Sequence, residues 1–106
     1  MTQLHTMEYT NLGRTGLQVS RVCLGTMTFA AQCDEPTSHA IMDVATDAGV
    51  TFVDTADVYP VPVGEHTAGA TETIVGNWPR GKRDRFVLAT KCHMPIAVPQ
   101  ATRADA

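Results

Sequence analysis

Apolar and polar positions divide the chain into short strands and two helical stretches. Residues Met7 to Ser20 read M-E-Y-T-N-L-G-R-T-G-L-Q-V-S. Two short polar–apolar segments there flank a turn rich in Asn11, Gly13 and Gly16, which predicts a hairpin, though not the tight two-residue kind. Arg21 to Gly25, R-V-C-L-G, has three consecutive apolar residues ending at glycine and predicts a short strand buried on both faces. Asp34-Glu35-Pro36 then opens a helix: proline is tolerated where its missing N–H has no helical partner, and acidic residues complement the helix dipole. Ala40, Ile41, Val44, Ala45 and Ala48 fall on one stripe at helical spacing, and Gly49 stands where a helix ends in a left-handed residue.

Val50 to Asp54, V-T-F-V-D, predicts a second strand and Phe86 to Thr90, F-V-L-A-T, a third. A weaker helical pattern lies between them, around Gly69 to Trp78, limited by Gly76 and Pro79. The order is hairpin, strand, helix, strand, helix, strand, and such alternation implies parallel βαβ units in an α/β fold, with right-handed crossovers. From Pro95 onward, P-I-A-V-P-Q-A-T-R-A-D-A has two prolines, four alanines and no periodicity, so residues 95–106 are expected to be an unstructured tail behind a folded unit over 1–94.

Composition narrows the function classes. At 106 residues the chain is one domain at most, able to bury only a modest core. A net charge of −3 argues against a nucleic acid or an anionic membrane as partner. The basic residues Arg80, Lys82, Arg83 and Arg85 are broken by Asp84 and read as a solvated loop. No apolar run approaches the ~20 residues that span a bilayer, and Met1 to Thr10 contains no signal-peptide core. The odd count of cysteines, Cys23, Cys33 and Cys92, without C-x-x-C spacing, reads as reduced thiols and a cytoplasmic setting. Glu65, His66 and Cys33 have no metal-ligand spacing, so no metal is expected. His39 and His66 read as surface residues, Cys92 as a buried thiol and Trp78 as a packing residue.

The candidate chemistry lies at strand ends, where parallel α/β architectures gather their sites. The second strand ends in D-T-A-D-V-Y, Asp54 to Tyr59, and the third in A-T-K, Ala89 to Lys91. Were these strands neighbours, Asp54 and Lys91 would approach each other and Tyr59 could reach the same point. A phenol ionises near pH 10 and is a poor proton donor at neutral pH unless a neighbouring cation stabilises its anion, as a lysine held by an aspartate would. Such a tyrosine could protonate a carbonyl oxygen while hydride arrives at carbon.

These motifs resemble the aldo-keto reductase family. D-T-A-x-x-Y followed by A-T-K is similar to its active site. Y-T-N-L-G-R-T-G-L-Q-V-S-R-V-C-L-G-T-M-T-F is similar to its N-terminal hairpin and first strand, and D-A-G-V-T-F-V-D-T-A-D-V-Y to its passage from first helix to second strand. The resemblance covers about Glu8 to Lys91. It implies part of a (β/α)8 barrel and NADPH-dependent reduction of small aldehydes or ketones. It further implies Tyr59 as general acid, Lys91 as the cation beside it, and Asp54 as partner of Lys91 near the nicotinamide ribose. Gly25, Thr26 and Met27 match the segment lining the nicotinamide site, and the absence of G-x-G-x-x-G agrees with a cofactor bound on a barrel.

Departures accompany the match. The family's active-site histidine at the end of strand four has no counterpart, since His93 follows strand three, and the segments that grip the adenosine phosphates are missing. Ala30 stands where the family usually has glycine, and Pro79 interrupts a stretch that is usually helical. Against the about 250 residues of a typical barrel, the expectation is a premature end with open strand edges prone to self-association. An inactive fragment, or an interaction protein like the family's channel β-subunits, is the alternative.

Overall fold

The turn residues Asn11 to Gly16 fold the chain back on itself, and the hairpin follows. A computed structural model describes residues 6–78 and 81–92. In it β1 (Tyr9–Asn11) and β2 (Gln18–Ser20) pair antiparallel, Tyr9 opposite Ser20. The hairpin is largely exposed, with only Val19 and Ser20 buried in its strands. Side-chain bonds therefore hold it to the body. The Ser20 amide donates to the Thr51 hydroxyl (3.1 Å), the Thr51 amide donates to the Ser20 hydroxyl (3.0 Å), and the Tyr9 hydroxyl donates to the Gly49 carbonyl (2.7 Å).

Helix α1 (Glu35–Asp47) starts as its sequence dictates. Asp34 is the N-cap and its carboxylate accepts from the Thr37 amide at 2.9 Å, which holds the carboxyl below its ordinary pKa. At the other end Gly49 is left-handed (φ 98°), its amide donates to the Thr46 carbonyl (2.9 Å), and the Val50 amide donates to the Ala45 carbonyl (3.0 Å). This is the paired-bond closure of a helix end that glycine permits.

The apolar stripe expected on this helix is not its buried face. α1 buries Ser38 and Met42, while Ile41 is 40% and Val44 71% exposed, and Ala40 and Ala48 are exposed too. The reason is Ser38, which is fully buried because its hydroxyl donates to the Asp34 carbonyl (2.7 Å) and sits 3.2 Å from the Cys33 sulfur. A satisfied serine counts as core, and apolar periodicity alone passes over it.

The remaining strands form one parallel sheet in the order β3 (Cys23–Gly25), β4 (Phe52–Asp54), β5 (Val87–Ala89). Register places Leu24, Val53 and Leu88 abreast. These three pack with Met42 of α1, with Ile74 and Val75 of α2 (Ala70–Asn77), and with Phe29, Trp78 and Phe86. The Trp78 and Phe86 rings stand 4.7 Å apart between centroids. Burying an aliphatic side chain of this size contributes about 1.5–3 kcal/mol.

The two helices are also tied by polar bonds. Trp78 Nε1 donates to Asp43 (2.8 Å), Asn77 donates to Glu35 (2.8 Å), and the His39 ring bonds to the Ile74 carbonyl (2.9 Å). His39 is thus a half-buried clamp between helices, not the free surface residue expected.

The strands alternate, so the opposite sheet face carries Cys23, Phe52 and Val87 in one row and Gly25, Asp54 and Ala89 in the next. Cys23 and Gly25 are exposed, which corrects the expectation that the first strand is buried on both faces: among the described residues the helices cover one face only. Among the described residues the fold is a hairpin and an open three-stranded parallel α/β sheet. Pro79, Arg80, His93 and the expected tail over 95–106 lie outside the described residues.

Candidate active site

Alternation along the strands builds the site. Asp54 ends β4 on the face opposite Val53, and Lys91, two residues past Ala89, has the same parity on the neighbouring chain segment. The pairing of β4 with β5 continues beyond the regular strands. The Thr55 amide donates to the Ala89 carbonyl (2.8 Å) and the Asp57 amide to the Lys91 carbonyl (3.0 Å). Lys91 Nζ then donates to Asp54 Oδ2 (2.8 Å) and to the Thr55 carbonyl (2.9 Å).

Hydrogen bonding to Asp54 is the main reason the Lys91 pKa lies above its ordinary value; Tyr59 acts in the same direction and partial desolvation opposes both. The two side chains are 46% and 39% exposed. An ion pair so open to solvent contributes about 0–1 kcal/mol to stability, so its consequence is the placement of charge and not fold strength.

Tyr59 joins this pair from the loop after β4. Its amide donates to the Ala56 carbonyl (3.3 Å) and its carbonyl accepts from the Thr71 amide (3.4 Å) at the start of α2. The Val61 amide returns the chain to the Met27 carbonyl (2.9 Å) in the loop after β3. Lys91 Nζ lies 5.0 Å from the centroid of the Tyr59 ring. The sequence-predicted trio Asp54, Tyr59 and Lys91 is therefore brought together.

Beside it opens a cleft of about 260 Å³ lined by Gly25, Thr26, Met27, Thr28, Asp54 and Tyr59. Three of the four expected cofactor-lining residues present themselves directly: Gly25 with open space beside its α-carbon, Met27 at 51% exposure, and Asp54 with its carboxylate. Thr26 differs. It is 1% exposed and its hydroxyl donates to the Asp54 carbonyl at 2.9 Å.

Thr28 and the Thr55 carbonyl were not singled out by sequence. Thr28 shows only as a second hydroxyl two residues past Thr26, and a backbone carbonyl leaves no mark in sequence. Cys23 shares the sheet face with Asp54; partial desolvation, then the Asp54 charge, raise its pKa against the pull of Lys91. Cys92, expected to be buried, is exposed, because beyond Ala89 no described element covers the chain. Among the described residues no three His, Cys, Asp or Glu side chains converge as a metal ion requires, and no helix is long and apolar enough to cross a membrane.

Comparison with known proteins shows the family. The aldo/keto reductase family model matches residues 21–105, and the chain belongs to that family. The match runs past Lys91, where the resemblance read from the motifs ends, through residue 105. The chain is 52% identical over 96 residues to the uncharacterized oxidoreductase YrpG of Bacillus subtilis (strain 168), covering 88% of this chain and 28% of that protein. It is 42% identical over 91 residues to protein tas of Escherichia coli (strain K12), covering 84% and 26%. Its fold superposes on aldo-keto reductase AKR11C1 from Bacillus halodurans, solved in its holo form, with a TM-score of 0.69 at 34% identity, over 81% of this chain and 26% of that one. The chain thus spans about a quarter of the length of these relatives.

Proposed function

We propose that this chain carries the Asp54–Tyr59–Lys91 part of an NADPH-dependent reductase site that converts small aldehydes or ketones to alcohols in the cytoplasm. The observation that carries the reading is Lys91 Nζ, bonded to Asp54 at 2.8 Å and set 5.0 Å from the centre of the Tyr59 ring. Asp54 keeps the ammonium charged and aimed. Tyr59 gives its hydroxyl proton to the substrate oxygen as the carbonyl π pair moves onto that oxygen, and Lys91 stabilises the phenolate left behind. NADPH, when bound, supplies the hydride that forms the new C–H bond. Solvent then returns a proton to Tyr59.

The cleft fits the nicotinamide end of such a cofactor. Its apolar side is Met27 and its polar wall is Asp54, whose carboxylate can accept from a ribose hydroxyl, with Gly25 leaving room for close approach.

The same reading takes residues 1–94 as the folded barrel segment and 95–106 as its tail. It also takes the edges of β3 and β5, unpaired among the described residues, as the route of self-association. The test is Tyr59→Phe in an NADPH-oxidation assay with a small aldehyde. Loss of turnover by at least 100-fold with cofactor affinity retained supports the general acid, and unchanged turnover refutes it.

A further inference from the structure

The segment from Asp54 to Asp57 is gripped from both sides. On the β5 side the Thr55 amide, the Thr55 carbonyl and the Asp57 amide bond to Ala89 and Lys91. On the β3 side the regular pairing stops at Gly25, opposite Asp54, and the next bond is made by a side chain: Thr26 Oγ1 donates to the Asp54 carbonyl at 2.9 Å. That carbonyl and the Thr55 amide belong to one peptide unit. The unit is therefore fixed at its oxygen by Thr26 and at its nitrogen by the Ala89 carbonyl, 2.8 Å away. From its two ends project the groups that hold Lys91 Nζ, the Asp54 carboxylate and the Thr55 carbonyl.

Thr26 lines the cleft, yet it is 1% exposed and its hydroxyl proton is already given to the Asp54 carbonyl. A planar peptide bonded on both sides cannot rotate without breaking one of the bonds. Freed on one side, it tilts, and both acceptors of the lysine move with it.

We infer that Thr26 is a positioning residue: its hydroxyl locks the Asp54–Thr55 peptide and so sets where Lys91 Nζ stands beside Tyr59, and it is not itself a donor to the cofactor. The inference rests on the proposed site for its importance to catalysis, but the lock is a property of the protein without any ligand. The raised pKa of Lys91 is its readout, since that shift depends chiefly on the bond to Asp54.

The chain has two lysines, Lys82 and Lys91. In the cofactor-free full-length chain labelled with 15N-lysine, two ammonium titrations are followed by NMR and assigned with Lys82→Arg. Thr26→Val, which keeps the shape and removes the hydroxyl, moves the Lys91 titration down from its raised wild-type position. Thr26→Ser, which keeps the hydroxyl, leaves it at the wild-type position. NADPH binding, followed on the same samples, weakens about tenfold in Thr26→Val and stays within about twofold in Thr26→Ser, a tenfold change being about 1.4 kcal/mol.

An unmoved Lys91 titration in Thr26→Val overturns the inference, and so does NADPH affinity lost without that movement, which would make Thr26 a cofactor contact. A wild-type chain that binds no NADPH refutes the proposed function, while the lysine titration still decides the role of Thr26. Should Thr26→Val fail to fold, the wild-type hydroxyl proton decides: slow exchange of the Thr26 Oγ1 proton supports the lock, and fast exchange overturns it.

Discussion

Replacing Ala30 by glycine should stabilise the protein, although it removes a side chain. Ala30 has φ 83°, and among the described residues it is the one non-glycine residue in the left-handed region. Its surroundings impose that conformation. The Ala30 amide donates to the Cys33 carbonyl (2.9 Å), and Phe29, 3% exposed, is fixed by its amide bond to the Thr26 carbonyl (3.0 Å) and by the Thr71 hydroxyl on its carbonyl (2.6 Å). An L-residue held there costs roughly 1–2 kcal/mol. Glycine relieves that cost but adds freedom to the unfolded chain, which offsets about 0.4–1 kcal/mol. Ala30 is exposed, so little packing is lost. The net gain is about 0–1.6 kcal/mol, and its middle, about 0.8 kcal/mol, is a rise of roughly 3–6 °C in Tm for a domain of this size. Urea unfolding followed by far-UV circular dichroism reads it as a higher midpoint at unchanged slope. Gly49→Ala is the control of opposite sign, because at φ 98° its new Cβ would lie 2.9 Å from the Met7 Cβ. If Ala30→Gly lowered the midpoint, the left-handed strain would not exist.

Thr55→Val should also stabilise, by about 1 kcal/mol, since the buried Thr55 hydroxyl has no hydrogen-bond partner among the described residues; a loss of stability in the same unfolding assay would reveal a partner. The Asp34 cap gives an acid limit. Hydrogen bonds from Thr37 lower its pKa, so its contribution is complete above the ordinary aspartate range, about 3.9, and disappears as pH falls through the lower folded value. Asp34→Asn should therefore flatten the acid limb of a stability–pH profile measured by circular dichroism, and an unaltered limb would count against the cap.

The parts legible in sequence were those that repeat a local rule. Asp34-Glu35-Pro36 and Gly49 marked the ends of α1 because capping needs those residue types, and the apolar runs at Val50–Asp54 and Phe86–Thr90 contained β4 and β5. The regular strands came out shorter than their apolar runs, although backbone bonds such as Thr55 to Ala89 carry the β4–β5 pairing past their ends. The buried face of α1 was misread because Ser38 and Met42, not Ile41 and Val44, meet the core, and a serine satisfied by the Asp34 carbonyl carries no apolar signal. His39 escaped notice for a related reason: its partner is a backbone carbonyl on α2, distant in sequence. The trio Asp54, Tyr59 and Lys91 was legible through its family motifs and its position at strand ends. Thr26 was noticed for the cleft it lines, whereas its bond to Asp54 depends on the β3–β4 register, which no local pattern encodes.

The central claim is that Asp54, Tyr59, Lys91 and the adjoining cleft receive the nicotinamide end of NADPH. Its most direct test is a titration of the purified chain with NADPH, read by cofactor fluorescence, with circular dichroism on the same sample to show that the chain is folded. The account predicts saturable binding that weakens at least tenfold in Asp54→Ala, where the carboxylate facing the cleft is removed. A folded chain that shows no saturable binding, or an Asp54→Ala variant that binds as tightly as the wild type, would contradict it.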